Sequence, residues 1–438
     1  MNKPYRKFLY ANLFIIAVTY ISFYPSFSNG WTTWDDTIYV TDNPVITKLS
    51  YENVKTVFTT VIEGSYAPLT FISYMIDYAM GEFDPHVYHR TNLLFHLINS
   101  SLVFWLAYQL SGDMMAALVV GVLFGIHPMR VESVAWISGR KDVLAMFFFL
   151  LSSISYLFYL KNTKSVLLIS SFIIFIFALL SKIIVLTFPI ILLLYDLTKK
   201  REYSYRVIME KIPFAIAGGI FALVGYFGQI SIQTVEKTPN VLENIIISLH
   251  GVVFYLEKYL TPINLSNLYP YSGTVTFKFY LYALLFFVFC FLVWRYRKNE
   301  TVIFSSLFFF ISLLPVLQFI RFSQIFAADR FTYFAYIGLF YGTGVYISSI
   351  VKKWNTKIVY SILTVIIITL SCLTWERCRV WKDTNTLWKD MLSKYPDPMS
   401  ENSIHDIQEY YFLSSQSNNP AIKVRGWGGH PGINKSTG

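Results

Sequence analysis

The chain has 438 residues, of which 55% are hydrophobic and 14% charged, whereas a soluble domain carries about 25% charged residues. That leaves too little polar surface for a water-soluble fold and makes the bilayer the main solvent. A net charge of +10 would suggest nucleic acid in a soluble protein. Here Lys and Arg sit in short loops between apolar runs, where they set topology, and no nucleic-acid partner is expected.

The first apolar run, residues 8–27, follows Lys3, Arg6 and Lys7. It lacks a small-residue cleavage site and is broken by Tyr24-Pro25, so it reads as an uncleaved helix with a cytoplasmic N-terminus. Further spans are predicted at 91–110, 114–127, 143–160, 165–181, 183–197, 212–232, 278–294, 301–320, 331–350 and 357–373. Alternating these spans puts Lys161 and Lys164, Lys199 to Arg201, Arg295 to Lys298, and Lys352 to Lys357 together on the cytoplasmic side. Residues 245–260 read as a partial, re-entrant or surface-lying helix, because a full crossing there would reverse every later loop. The expected fold is an all-α polytopic membrane protein of about 11 transmembrane helices, with the C-terminal region outside. The 32 Tyr and 10 Trp suit two membrane interfaces. Cys290, Cys372 and Cys378 form no spaced framework.

The outer side then carries a first loop over residues 28–90, too long for a mere connection, with the semi-amphipathic stretch Tyr51 to Ile62. Three shorter outer segments join it: Pro128 to Asp142, Gln233 to Tyr271 and Arg321 to Arg330. The cytoplasmic loops are short and basic, so function is expected outside.

Chemistry gathers in four places. Asp35 and Asp36 follow Trp31 and Trp34 just after the first span. They read either as a solvated turn or as a general base whose proton affinity is raised by its neighbour and a low dielectric. His127, Arg130, Glu132, Arg140, Lys141 and Asp142 crowd between two spans. Such groups near hydrocarbon must pair internally, as Glu132 with Arg140, or line a site. Asp329-Arg330, with Arg321 upstream and Tyr333 and Tyr336 behind, forms the third cluster, and Lys182 stands alone between two apolar runs. Cations at this depth suit a lipid phosphate, although Lys also snorkels. His86, His89, His96 and His127 do not match zinc spacing, and no metal site is expected. No Walker sequence or dinucleotide fingerprint is present, so ATP-driven transport and a Rossmann-type nucleotide-sugar site lack support.

The succession Trp34-Asp35-Asp36, Tyr66 to Thr70, His89 to His96, His127-Pro128 with Glu132, and Ala135 to Arg140 resembles the transmembrane and tetratricopeptide-repeat O-mannosyltransferases. Ser181-Lys182, Leu193 to Asp196, Ala328 to Tyr333 with Ile337-Gly338, and Arg379 to Trp381 with Leu387-Trp388 continue it in the same order, over roughly residues 1–395. The resemblance implies a GT-C-like bundle that takes a sugar from a polyprenyl-phosphate donor and passes it to an acceptor protein or glycan. The membrane would be a bacterial inner membrane with a periplasmic active face, or the endoplasmic reticulum with a lumenal one. It gives the catalytic role to Asp35 or Asp36 and the donor phosphate to Arg140, Lys182 and Arg330. His127, Glu132, Asp142 and Asp329 would support them. Dependence on a divalent metal stays open, as do the sugar and acceptor. The alternatives are a transporter or flippase of lipid-linked sugar, or an inactive scaffold.

The transferase domain is expected at 1–375, followed by a helical segment at 376–399 where that family's repeats begin. Residues 400–438, including Arg425 to His430, show neither helical period nor repeat consensus, which suits a truncated or frameshifted reading frame.

Overall fold

A computed structural model describes residues 3–62, 64–202, 204–231, 241–270, 275–319 and 325–395. Arg321, named above beside Arg330, and the tail from Ser400 lie outside the described residues.

The described chain is helical almost throughout. Helix α1, Lys3–Phe23, runs into a 3₁₀ turn at Tyr24–Ser28 that has Pro25 in its first turn. The long loop holds α2, Tyr51–Thr59, capped by Ser50 Oγ on the Asn53 N–H at 3.2 Å. It also holds α3, Pro68–Gly81, which opens on Pro68. The spans that follow begin on built caps. Asp84 caps α4, Pro85–Ser111, and Asp113 caps α5, Met114–Ile126, through the N–H groups of Met115 and Ala116. At Pro128 the chain bends by 59° into α6, Val131–Ala135, and a turn at Ile137–Gly139 leads into α7, Arg140–Asn162.

Next come α8, Ser165–Ser181, α9, Phe188–Thr198, α10, Tyr205–Met209, and α11, Ile212–Ser231. They are followed by α12, Val241–Leu260, α13, Phe277–Arg295, and α14, Glu300–Leu313. The last helices are α15, Thr332–Val351, α16, Thr356–Val380, and α17, Thr384–Lys394. Two short strands, β1 at Tyr269–Pro270 and β2 at Ile325–Ala327, pair antiparallel with Tyr269 opposite Ala327.

Contacts sort the helix ends into two groups. At the basic end, Lys352 pairs with Asp113 (2.5 Å), Lys199 donates to the Gln109 carbonyl (2.6 Å), and Lys200 lies 3.1 Å from Glu300. At the other end, Gln229 donates to Gly64 of the long loop (3.0 Å), Thr70 to Ser181 (3.0 Å), and Asn29 to Cys378 (3.0 Å). Helix α12 begins after α11 has reached the long-loop end. It closes at that same end, where His127 meets the Tyr259 carbonyl at 3.1 Å. It is not among the described helices that are long and apolar enough to cross a membrane.

Seven helices are long and apolar enough to cross a membrane: Arg6–Ser28, Pro85–Ser111, Ile137–Asn162, Tyr205–Ile230, Phe277–Arg295, Asp329–Val351 and Thr356–Val380. The bent pair from Met114 to Ala135 makes eight if it is one span. The expected eleven therefore requires the shorter apolar helices Ser165–Ser181, Ile183–Thr198 and Glu300–Val316 to cross as well.

Two boundaries differ from the expectation. Helix α4 starts at Pro85 rather than at 91, because the polar turn around His86, His89 and Arg90 is capped into the helix by Asp84. Helix α3 lies within the stretch expected to be loop. It is too short to span, and Asp77 interrupts its apolar run.

One apolar core unites α1, α4, α5, α7, α8, α9, α14 and α15. Gly338 lets α14 and α15 approach, since a Cβ there would sit 2.6 Å from the Ser305 carbonyl. A second, smaller core of Tyr39, Val40, Ile46, Val57, Phe71, Tyr74, Met75, Tyr88 and Ile137 lies beneath the long loop. That loop is thus a packed layer on the end of the bundle, and its polar groups are held in place.

Candidate active site

Asp36 and Asp35 occupy opposite situations. The Asp36 side chain is buried, 1% exposed, and accepts four hydrogen bonds. The Thr32 N–H (3.0 Å) and hydroxyl (2.8 Å) reach one oxygen, while the Ser138 N–H (3.0 Å) and hydroxyl (2.6 Å) reach the other. Burial pushes its carboxyl up to about 6, against the pull of those four donors. The carboxylate ties the start of the long loop to the turn before α7, and both oxygens are filled from within. Asp35 is half-buried, and its carboxylate has no hydrogen-bond or ion-pair partner among the described residues. Its charge acts on Lys141 and Arg330.

Among the cations at this end of the bundle, Arg330, Lys182 and Lys141 are partly exposed. Arg330 is bound to Glu132 through its guanidinium and through its backbone N–H (2.7 Å), and lies over the Trp136 ring at 5.5 Å. Lys182 Nζ lies 2.6 Å from Asp142. Burial lowers its proton affinity while Asp142 restores part of it, and the nearby charges of Arg330 and Lys141 lower it further. Both side chains are partly exposed, at 18% and 20%, whereas Glu132 and Asp142 are each 1% exposed. The acids therefore sit behind the cations and orient them. Lys141, in the first turn of α7, has its ammonium 3.9 Å from the centre of the Tyr39 ring and no carboxylate within ion-pair distance among the described residues.

Arg140 does not join this group. Its side chain is fully buried and every nitrogen is used: Nε donates to Asn92, Nη1 to Ser73 (3.1 Å), and Nη2 to Asp77 (2.5 Å) and the Tyr88 carbonyl (3.0 Å). The expected Glu132–Arg140 pair is replaced by Glu132–Arg330 and Arg140–Asp77. Arg140 thus anchors α7 to α3 and α4, and presents nothing to a phosphate. Asp329 points inward, 1% exposed, and accepts the Tyr269 hydroxyl at 2.7 Å. His127 is likewise buried, engaged by the Tyr259 carbonyl and by the Met129 N–H at 3.3 Å.

His86, His89 and His96 each meet a backbone carbonyl, those of Phe27, Gly30 and Gly125. Among the described residues no three His, Cys, Asp or Glu side chains are grouped to hold a metal ion. A concavity of about 410 Å³ lies at the basic end, walled by Asp113, Ser348 and Lys352, and none of the three cations lines it.

Lys141 stands in the charged cluster of the sequence, but the family resemblance gives it no role. Its signal is weak, because a Lys beside Arg140 and Asp142 looks like one more charge in a run. Only the fold shows that Arg140 and Asp142 are consumed by Asp77 and Lys182.

No family model matches the chain. Protein O-mannosyl-transferase Tmtc1 of Drosophila melanogaster is 35% identical over 101 residues, 23% of this chain and 12% of that protein. Protein O-mannosyl-transferase TMTC2 of Mus musculus is 39% identical over 93 residues, covering 21% and 11%. Protein O-mannosyl-transferase TMTC3 of Homo sapiens is 34% identical over 92 residues, covering 21% and 10%. The matched stretch thus spans about a tenth of those relatives' length. The crystal structure of ArnT from Cupriavidus metallidurans bound to undecaprenyl phosphate aligns with 92% of this chain and 80% of its own, at 11% identity and a TM-score of 0.41. The chain is a polytopic membrane protein similar, over roughly a fifth of its sequence, to the protein O-mannosyl-transferases.

Proposed function

We propose that the chain is a membrane glycosyltransferase that moves a sugar, mannose by its likeness to the protein O-mannosyl-transferases, from a polyprenyl-phosphate donor to an acceptor hydroxyl on the extracytoplasmic side. The observation that carries this reading is Asp35, a carboxylate with no hydrogen-bond or ion-pair partner among the described residues, whose charge acts on Lys141 and Arg330, with Lys182 at the same end of the bundle.

The division of labour follows from that geometry. A lipid-linked donor stays in the bilayer, so its phosphate meets cations held at the ends of spans. Lys182 and Arg330 are pre-oriented by Asp142 and Glu132, and Lys141 adds a charge not yet matched by an acid. Asp35 takes the proton of the acceptor hydroxyl as its oxygen bonds to the anomeric carbon. The bond from that carbon to the phosphate oxygen breaks on the opposite face, its electron pair leaves with the polyprenyl phosphate, and the three cations stabilise the charge. Displacement of this kind inverts the anomeric centre. Arg140 and Asp36 hold the scaffold.

The test is donor consumption by purified protein in lipid vesicles, with polyprenyl-phosphate mannose and other polyprenyl-phosphate sugars. Asp35→Asn keeps shape and removes proton acceptance, so turnover should fall by about 10² to 10⁴ at unchanged thermal stability. Full turnover in that variant, or no donor consumed by the parent, refutes the reading.

A further inference from the structure

We infer that the corner between α16 and α17 is a working part of the site, a clamp that positions Asp35. This rests on Asp35 being the base. The segment leading to Asp35 is bound to that corner at nearly every step. The Asn29 side-chain amide donates to the Cys378 carbonyl (3.0 Å), the Gly30 N–H to the Lys382 carbonyl (2.7 Å), and the Thr33 N–H to Thr384 Oγ1 (3.1 Å). The Trp34 and Trp388 rings lie 5.6 Å apart.

The corner itself is stiff. Asp383 caps α17 through the Thr386 N–H (2.8 Å) and hydroxyl (2.9 Å), and Arg377 of α16 pairs with Asp390 of α17 at 2.7 Å. Trp381 is buried and stacked at 5.8 Å on Trp136, whose ring also lies against Arg330. One element therefore touches both the carboxylate-bearing segment and the platform of a cation.

Asp35 has no side-chain partner of its own among the described residues, so its place is inherited from its neighbours. On the C-terminal side Asp36 is fixed to Ser138, and on the N-terminal side residues 29, 30, 33 and 34 meet the corner. Removing the second anchor frees the carboxylate to swing while the cations keep their acids. The consequence is a loss of turnover without a loss of donor binding.

The experiment compares Thr384→Val, Thr384→Ser and Trp388→Leu in the full chain with polyprenyl-phosphate mannose as donor, and follows hydrogen exchange of residues 29–36 on the protein alone. Thr384→Val and Trp388→Leu should lower kcat about 10- to 100-fold with donor KM within about twofold, since small misplacements of a reacting group cost that much. Exchange at 29–36 should quicken in both, and Thr384→Ser, which keeps the acceptor oxygen, should restore each value. Parental kcat or parental exchange in Thr384→Val and Trp388→Leu overturns the clamp. So does a joint loss of kcat, KM and folded protein that Thr384→Ser fails to rescue. Asp35→Asn run in parallel separates the two ideas. If it is inactive while the corner variants are fully active, the base stands and the clamp falls; if it is active while they lose kcat, the base falls.

Discussion

Replacing Asp36 by Asn tests whether the fully bonded acid is an anchor or a reactant. Its carboxyl is raised from 3.8 to about 6 by burial, a displacement that corresponds to about 3 kcal/mol between its two protonation states. The sign follows from the direction. Between pH 3.8 and about 6 the folded protein keeps a proton that the unfolded chain has released. Stability from this group is therefore full below about pH 4, falls as pH rises to 6, and is flat above. The amide that replaces it would have no such titration. It would also offer one acceptor oxygen where the carboxyl group, protonated or not, keeps acceptor capacity on two, setting its NH₂ group against the Thr32 or the Ser138 N–H. A backbone N–H stranded in that way costs about 1–3 kcal/mol. The variant should thus be less stable than the parent near pH 4.5, and the gap should narrow toward pH 7.5. Thermal unfolding in detergent across that range reads the difference, in which all other titrating groups cancel. A gap that does not change with pH refutes the assignment. Unchanged stability with abolished turnover would return Asp36 to the chemistry.

Arg140→Ala removes one half of the buried pair with Asp77 and strands the other, at a cost of about 3–5 kcal/mol, and should sharply reduce the yield of folded protein. A stable variant with only a weakened donor KM would instead make Arg140 a phosphate ligand. Lys141→Ala, Lys182→Ala and Arg330→Ala should each raise donor KM about 10- to 100-fold, the worth of one charge-assisted hydrogen bond. Lys141→Ala should leave the unfolding temperature nearly unchanged, whereas Lys182→Ala and Arg330→Ala should also lower it by stranding the buried Asp142 and Glu132. Parental KM in all three removes the cation cluster from the site. Tags placed before Lys3 and after Tyr395 should report opposite sides of the membrane, on the reading that α12, whose C-terminal end meets His127 at the long-loop end, does not cross. Tags on one side refute that path.

The hydrophobic runs announced most spans, since length and apolar content are local properties. The reading of 245–260 as a partial helix rests likewise on the charge of the loops around it. The partners in space were not. Asp35 and Asp36 are neighbours of the same type, and only Ser138, 102 residues away, separates the anchor from the free acid. Arg140 and Lys141 are equally alike in sequence, yet Asp77 on a helix read as loop claims the first and not the second. Pairing of charges is a property of where helices meet, and short amphipathic helices such as α3 carry too weak a hydropathy signal to be placed in advance.

Helix α12 has a consequence for how the chain is made. Its apolar stretch lies between Glu243 and the Glu257-Lys258 pair, with His250 near the middle, and each such group at bilayer depth penalises insertion. The insertion machinery thus meets a segment as long as a span and must let it pass without counting it. A helix that enters and leaves on one side is silent in the parity of the topology. Substitutions that lengthen or shorten it leave the handedness of everything downstream intact. Changes that let it cross, such as neutralising both ends, would carry Arg330 and α17 to the far side from Asp35.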